Sequence, residues 1–420
     1  MENERKDIKY QVEHGYKLYT LIHYVNKETL KMQHSKQQKS KASGIDRITK
    51  EKYGENLDNN IENLLMRMKK FSYKPQPVKR VYIPKSNGKL RPLGIPAYED
   101  RLVQGVMANI LSQIYECKFL DCSYGFRPGR SAHQAIAEIN HHLMFDRINY
   151  VLDGDIKGFF DNVDHEWLMK FLEHDIHDKN FLRYVKRFLI SGYMEEMKYH
   201  ETDKGTPQGG LISPVLANVY LHYVLDLWFQ QNKTKLKGNA YLIRFADDFV
   251  ILLQYEEDAI KVYKAIIERM KKFGLELEQN KTRILPFGRF KGNKESFDFL
   301  GFRFINGKDI QGKYRVIVKT SKKKLKQKKE NVKKWCKDVM HKDIFETLEH
   351  LKLKLIGHYR YYGVSGNYED ILKFKKYVKS TYYKMLRKRG QKHSLLYGKY
   401  CMIWNIMKMP EPKIYANIWY

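Results

Sequence analysis

Tyr241-Leu-Ile-Arg-Phe-Ala-Asp-Asp-Phe-Val-Ile-Leu-Leu-Gln254 holds two short apolar runs separated by adjacent aspartates. Both runs are rich in β-formers, so the stretch reads as two strands of one hairpin with Asp247 and Asp248 at the turn. Two acidic side chains at the tip of a buried hairpin repel each other, and desolvating them without a partner costs several kcal/mol. A divalent cation offsets that cost. Mg²⁺ suits the task, being hard, oxygen-seeking and usually held by one or two carboxylates together with substrate phosphates. Asp-rich turns are also ordinary surface features, because Asp hydrogen-bonds its own backbone. What the rest of the chain supplies decides between the two.

Across 420 residues, 43% hydrophobic content is enough for a sizeable core, and the length fits two to three domains or one large enzyme. Lys and Arg number 78 against 48 Asp and Glu, a net charge of +30 spread along the chain. Such a surplus points to polyphosphate chains or anionic membrane as partner. No apolar run approaches the roughly 18 residues of a membrane span, and Met-Glu-Asn-Glu-Arg-Lys does not read as a signal peptide. Nucleic acid is therefore favoured, in a cytoplasmic setting. Cys117 and Cys122 have no second close pair to complete a zinc site, so these two, with Cys336 and Cys401, read as ordinary thiols.

Working outward from the hairpin, Tyr150 to Ile156 alternates as a strand, which puts Asp153 and Asp155 on one face. Asp164 then reads as the N-cap of a helix from His165. Two β-rich runs between Val78 and Pro96 flank Asn87-Gly88, a strong hairpin signal, with Lys85, Lys89 and Arg91 near its turn. Ser123 to Arg130 is a Gly/Pro-rich loop carrying Arg127. Gly205 to Pro214 is a second Gly-rich loop, bearing Gln208, that enters a helix running to about Gln230. Downstream, Glu256 to Phe273 reads as an amphipathic helix closed by Gly274. Leu275 to Ile284 reads as a strand containing Lys281, and Phe297 to Phe304 as a strand with a central glycine. From Ser321 the chain becomes Lys- and Tyr-rich helices, placing a domain boundary near 319. There Tyr359, Tyr361, Tyr362, Tyr382 and Tyr383 alternate with cations, a mixture suited to tracking and stacking on nucleic acid.

Taken together, these are one aspartate at a strand end, two at a hairpin tip, a Gly-rich loop with a glutamine, a basic hairpin and a basic helical tail. Carboxylates from two such elements can hold two Mg²⁺ about 3.5–4 Å apart for in-line displacement at phosphorus. In this order, the motifs resemble the reverse transcriptases encoded by bacterial group II introns, over about residues 38 to 390. The resemblance implies an α+β right-hand polymerase with an antiparallel-sheet palm and a helical, basic thumb and maturase region. It divides the chain into an N-terminal extension (1–37), fingers with the start of the palm (38–150), palm (151–318) and thumb/maturase region (319–420).

Carried over by position, the resemblance makes Asp155, Asp247 and Asp248 the metal aspartates, with the Ile156 carbonyl beside them. It makes Lys281 the residue that protonates pyrophosphate, and Phe160 the wall that excludes a ribose 2′-hydroxyl. Lys85 and Arg91 would grip the triphosphate, Gln208 would contact the nucleotide, and Arg127 would meet the template backbone. Phe299-Leu300-Gly301 resembles the primer grip. The implied activity is RNA-directed DNA synthesis from dNTPs with Mg²⁺, for which Mn²⁺ can substitute, on an RNA template and a DNA or RNA primer. Binding of group II intron RNA as a maturase is implied as well, and a homodimer is left open. Two departures stand out. Phe245 replaces the tyrosine of the family's Tyr-Ala-Asp-Asp box, and no His/Cys constellation for a homing endonuclease is seen before Tyr420. Competing expectations are an RNA-binding maturase with a vestigial polymerase site, and a relative recruited to host repair or defence. A polymerase that makes RNA is disfavoured by the bulk of Phe160.

Overall fold

The computed structural model describes residues 7–84, 90–196, 198–206, 209–291, 295–389 and 395–419. Its strands are β1 (Val78–Pro84), β2 (Leu90–Ile95), β3 (Tyr150–Asp155), β4 (Tyr193–Glu195), β5 (Lys198–His200) and β6 (Ala240–Phe245). They continue with β7 (Asp248–Leu253), β8 (Arg283–Pro286), β9 (Ser296–Phe299), β10 (Phe302–Lys308) and β11 (Tyr314–Thr320). These make three sheets, ordered β2-β1-β4-β5, β6-β7-β3-β8 and β11-β10-β9. Every pairing in the last two is antiparallel, as the α+β expectation requires, whereas β1 meets β4 in parallel.

The place of β6 and β7 in the central sheet β6-β7-β3-β8 explains why these two strands are apolar at nearly every position. Side chains of a strand alternate between faces, so a strand buried on both sides reads as a continuous apolar run. Leu152, Phe249, Ile251 and Leu253 enter one core, with the helices Tyr98–Glu116, Ser213–Leu221 and Glu256–Lys272. Val151, Ile243, Val250 and Leu252 enter a second core, with the helix Ala132–Phe145, the β9–β11 sheet and the C-terminal helices.

One glycine fixes how closely these strands pack. Gly154 of β3 lies opposite Phe249 of β7, and a Cβ there would come within 2.3 Å of the phenyl ring. Gly154→Ala is therefore expected to lower unfolding free energy by about 1–3 kcal/mol, the usual cost of overpacking, as measured by chemical denaturation.

The N-terminal segment is not a separate appendage. Ile8, Leu18, Leu21, Val25 and Leu30 are buried in the first core. Asp178, itself 4% exposed, caps the helix Lys179–Leu189 through the amides of Asn180 and Phe181, at 2.9 and 3.0 Å. Its other oxygen accepts from Leu21 and Ile22 N–H at 2.6 and 2.8 Å, so one carboxylate both starts a helix and ties down the chain's beginning.

Four sequence expectations need correction. Phe297 to Phe304 is a hairpin rather than one strand: Phe299 pairs with Phe302, and Leu300 (φ 50°) and Gly301 (φ 81°) form the turn. Positive φ at both central residues is the type I′ arrangement, hidden here because Leu stands where Asn or Asp usually signals it. Leu275 to Ile284 is mostly not strand. Only Arg283–Pro286 pairs with β3, and Lys281 sits in the preceding turn, donating its N–H to the Glu278 carbonyl at 2.9 Å. The helix after Gly205–Pro214 is interrupted, with Ser213–Leu221 followed by a π-helical stretch, His222–Asp226. Finally, Tyr359, Tyr362 and Tyr382 are core residues of the C-terminal helices, leaving Tyr361, at 36% exposure, and the half-buried Tyr383 able to meet a partner. Among the described residues no helix is long and apolar enough to cross a membrane.

Candidate active site

Register brings the acidic residues together. β3 and β7 pair Asp155 with Asp248, and β6 and β7 pair Phe245 with Asp248, so Ala246 and Asp247 form the tip of the hairpin. Two strands far apart in sequence thus deliver Asp155, Asp247 and Asp248 to one end of the central sheet. Asp153 lies two residues back on β3, and burial raises its pKa to about 6.

The three carboxylates disturb one another. Burial among surrounding protein atoms raises the pKa of Asp247, and the charge of Asp155 adds to that, against the pull of Arg91 and Lys281. Asp248 opens to solvent at its outer edge, yet the protein around its carboxyl, then Asp247 and Asp155, push its pKa up to about 7. Lys281, on the turn before β8, forms an ion pair with Asp155, and that hydrogen bond holds the ammonium above its ordinary range. Crowded carboxylates of this kind favour whatever brings positive charge between them.

Among the described residues, no three His, Cys, Asp or Glu side chains close on a point as a ready-made metal cage. The donor set nevertheless fits a hard cation that keeps several other oxygen ligands: carboxylates with no nitrogen or sulfur donor, facing an open cleft.

The other expected site residues surround this cluster to different degrees. Ile156 follows β3, is 2% exposed and bridges to Leu277. Phe160 sits on the short helix Phe159–Asn162, edge-on to Phe159 at 5.4 Å, with its carbonyl accepting from the Thr206 N–H at 2.7 Å. Its side chain lines a cavity of about 460 Å³ with Arg80, Gly94, Tyr193 and Thr206. Arg91 lies on β2, close enough to Asp247 for its charge to be felt there. Lys85 and Gln208, and Lys89 with them, lie outside the described residues.

Phe299 is buried, and the Leu300–Gly301 turn is held from the C-terminal segment. The Leu300 carbonyl accepts from the Tyr361 hydroxyl at 2.8 Å, and the Gly301 carbonyl from Ser321 N–H at 2.9 Å. This turn, Asp248, Lys324, Lys328 and Tyr361 line a cavity of about 810 Å³ that runs from the carboxylates into the C-terminal helices.

Arg127 is the exception. It is 7% exposed, its Nε and Nη2 meet Glu116 at 3.2 and 3.0 Å, and its Nη1 donates to the Leu120 and Ser123 carbonyls at 2.7 and 2.8 Å. The guanidinium is consumed in bracing its own loop, which removes it from contact with a template backbone.

Sequence reasoning missed Tyr361 as the clamp on the Leu300 turn, since it looked like one of several exposed tyrosines. It also passed over Arg244, a charge inside an apolar strand, which is the kind of signal that marks a buried partner.

With fold and site described, the family follows. The model of the reverse transcriptase (RNA-dependent DNA polymerase) family matches residues 83–304, and the chain belongs to that family. Its mixed helices and antiparallel central sheet are accordingly those of a right-hand polymerase fold. Similar chains include the group II intron-encoded protein LtrA of Lactococcus lactis, 46% identical over 176 residues, which are 42% of this chain and 29% of LtrA. Protein YkfC of Escherichia coli is 34% identical over 308 residues, 65% of this chain and 78% of its own. An uncharacterised 91 kDa protein in the cob intron of Schizosaccharomyces pombe is 33% identical over 224 residues, 53% of this chain and 27% of that one. The chain thus spans under a third of LtrA's length.

Proposed function

We propose that this protein is an RNA-directed DNA polymerase that extends a DNA or RNA primer on an RNA template with dNTPs, and that it binds group II intron RNA as a maturase. The observation that carries the proposal is the palm register, with Asp155 opposite Asp248 and Asp247 at the adjoining tip. A protein that only bound RNA would have no physical need for three converging carboxylates on a polyanion-binding surface.

Asp155, Asp247 and Asp248, with the Ile156 carbonyl, would hold Mg²⁺, and Mn²⁺ would be accepted by the same oxygens. When bound, the metal pair lowers the pKa of the primer 3′-hydroxyl and neutralises charge on the leaving pyrophosphate. Arg91, with Lys85, would grip the triphosphate, and Gln208 would contact the nucleotide. Phe160 would close the space beside the sugar. Lys281, paired with Asp155, would leave it and hand a proton to pyrophosphate. The Leu300–Gly301 turn, on the buried anchor Phe299, would support the primer end, and the Lys-rich helices beyond β11 would hold RNA.

The deciding experiment is extension of a DNA primer on an RNA template with Mg²⁺ and dNTPs. Extension supports the proposal. Tight, salt-sensitive RNA binding with no extension in Mg²⁺ or Mn²⁺ would leave only an RNA-binding maturase.

The site also predicts a pH dependence. Asp248 carries a folded-state pKa above its unfolded value, so the folded protein favours the proton and this group's stabilisation is lost as pH rises through about 7. A cation must displace that proton. Stabilisation by Mg²⁺, followed as the shift in thermal midpoint, is expected to be clearly larger at pH 8 than at pH 6, and an Asp248→Asn variant should flatten that difference.

A further inference from the structure

Arg244 is the only charged residue within the strand that leads into the catalytic turn, and it is 0% exposed. Nothing about a buried arginine is needed to build a β-hairpin, and a lone charge there would be costly. All five of its N–H donors are used. Nε and Nη2 grip both oxygens of the buried Asp226 at 2.7 and 2.6 Å. Nη2 also reaches the Ser123 hydroxyl at 2.8 Å, and Nη1 reaches Asn218 Oδ1 at 3.0 Å. The remaining Nη1 donor meets the carbonyl of Ala246, at 3.0 Å, inside the turn itself.

That turn is held against its own preference. Ala246 has φ 56°, a region in which a side-chain-bearing residue persists only when its surroundings impose it. The surroundings come from three elements. The loop 122–125 lies along β6, with Arg244 N–H donating to the Cys122 carbonyl at 2.7 Å and Tyr124 N–H to the Arg244 carbonyl at 2.8 Å. Gly125 approaches the turn so closely that a Cβ there would sit 2.4 Å from the Ala246 nitrogen, and Asn218 ties that glycine's carbonyl down at 2.7 Å. Asp226 ends the π-helical stretch, where the widened turn resets the helix register. The Tyr223 and Val224 carbonyls of that stretch accept from Arg269 at 3.1 and 3.0 Å.

We infer that Arg244, anchored by Asp226 and Asn218, is a positioning residue that fixes the Ala246–Asp247 turn so that Asp247 stands where the cation of the polymerase reaction requires it. The inference rests on the proposed polymerase function. Arginine is needed because no other side chain offers five donors in a rigid fork; a lysine can face Asp226 but cannot also hold Ala246, Asn218 and Ser123.

Two variants test it. Arg244→Lys keeps the buried charge opposite Asp226, and Asn218→Ala leaves the ion pair untouched while loosening the fork and Gly125. Mn²⁺ binding to the full-length protein, followed by electron paramagnetic resonance, is the readout independent of turnover, and the Mg²⁺ concentration for half-maximal primer extension is the second. Arg244→Lys is expected to weaken Mn²⁺ binding and raise the Mg²⁺ requirement about tenfold, and Asn218→Ala about threefold, with RNA affinity unchanged. Should Arg244→Lys fail to fold, Asn218→Ala carries the decision alone. Lower thermal midpoints with unchanged Mn²⁺ binding and unchanged Mg²⁺ dependence in the folded variants would reduce the network to a structural brace and overturn the inference. A wild-type protein that binds Mn²⁺ but extends no primer would instead defeat the polymerase proposal, leaving the Mn²⁺ comparison to judge the network.

Discussion

Asp247→Ala should lower primer extension by at least about 1,000-fold, roughly 4 kcal/mol of transition-state stabilisation, while RNA affinity stays within about threefold. The separation follows from where the charges sit. Asp247 stands at the tip of the palm hairpin beside Asp155 and Asp248, whereas the cations proposed to meet RNA are spread along the chain and concentrated after β11. Removing an acid from a basic protein cannot weaken its hold on a polyanion by charge. The substitution should also raise the thermal midpoint of the metal-free protein at pH 8, because the two remaining carboxylates lose a like-charged neighbour. Joint loss of RNA binding and extension, with a lower midpoint, would identify Asp247 as a structural residue.

The second large effect concerns the sugar. Phe160→Ala is expected to relax discrimination between dNTPs and rNTPs by about 100-fold, roughly 2.7 kcal/mol, with dNTP turnover reduced far less. The ring is set rather than loosely exposed: Phe159 meets it edge-on, and the backbone carbonyl is fixed by Thr206. Truncation leaves that backbone in place and opens only the space the phenyl group filled. Competition between matched dNTP and rNTP on one template measures the ratio directly, and an unchanged ratio would remove Phe160 from any part in sugar selection.

The convergence of Asp155, Asp247 and Asp248 was legible because chemistry announced it. Two acids between apolar β-runs, a third acid at the end of a strand and a basic remainder admit few explanations. Strand identity was legible in β6 and β7, where burial on both faces leaves almost continuous apolar runs, and in β3 from its alternation. The Leu300–Gly301 turn was not, because Leu at a positive φ is tolerated only through the clamps from Tyr361 and Ser321, which lie far along the chain. Lys281 was assigned to a strand because its neighbours have β-forming character, yet β3 offers pairing only up to Arg283. Arg127 looked like a nucleic-acid contact because exposed and buried arginines are identical in sequence; Glu116, eleven residues earlier, decides the matter. The tyrosines of the C-terminal helices misled for the same reason, since an amphipathic ring serves a core as readily as a stacked base.

The order of strands in the palm has a consequence for how the protein is made. β3 is the inner strand between β7 and β8, and it emerges from the ribosome well before either neighbour. Until Leu253 has been synthesised, Asp155 ends a strand with both edges open, and contacts of such long sequence separation form slowly. A chain that stops before Asp247 therefore holds Asp155 without the two acids it faces. The carboxylate cluster is completed only when β7 pairs with β3.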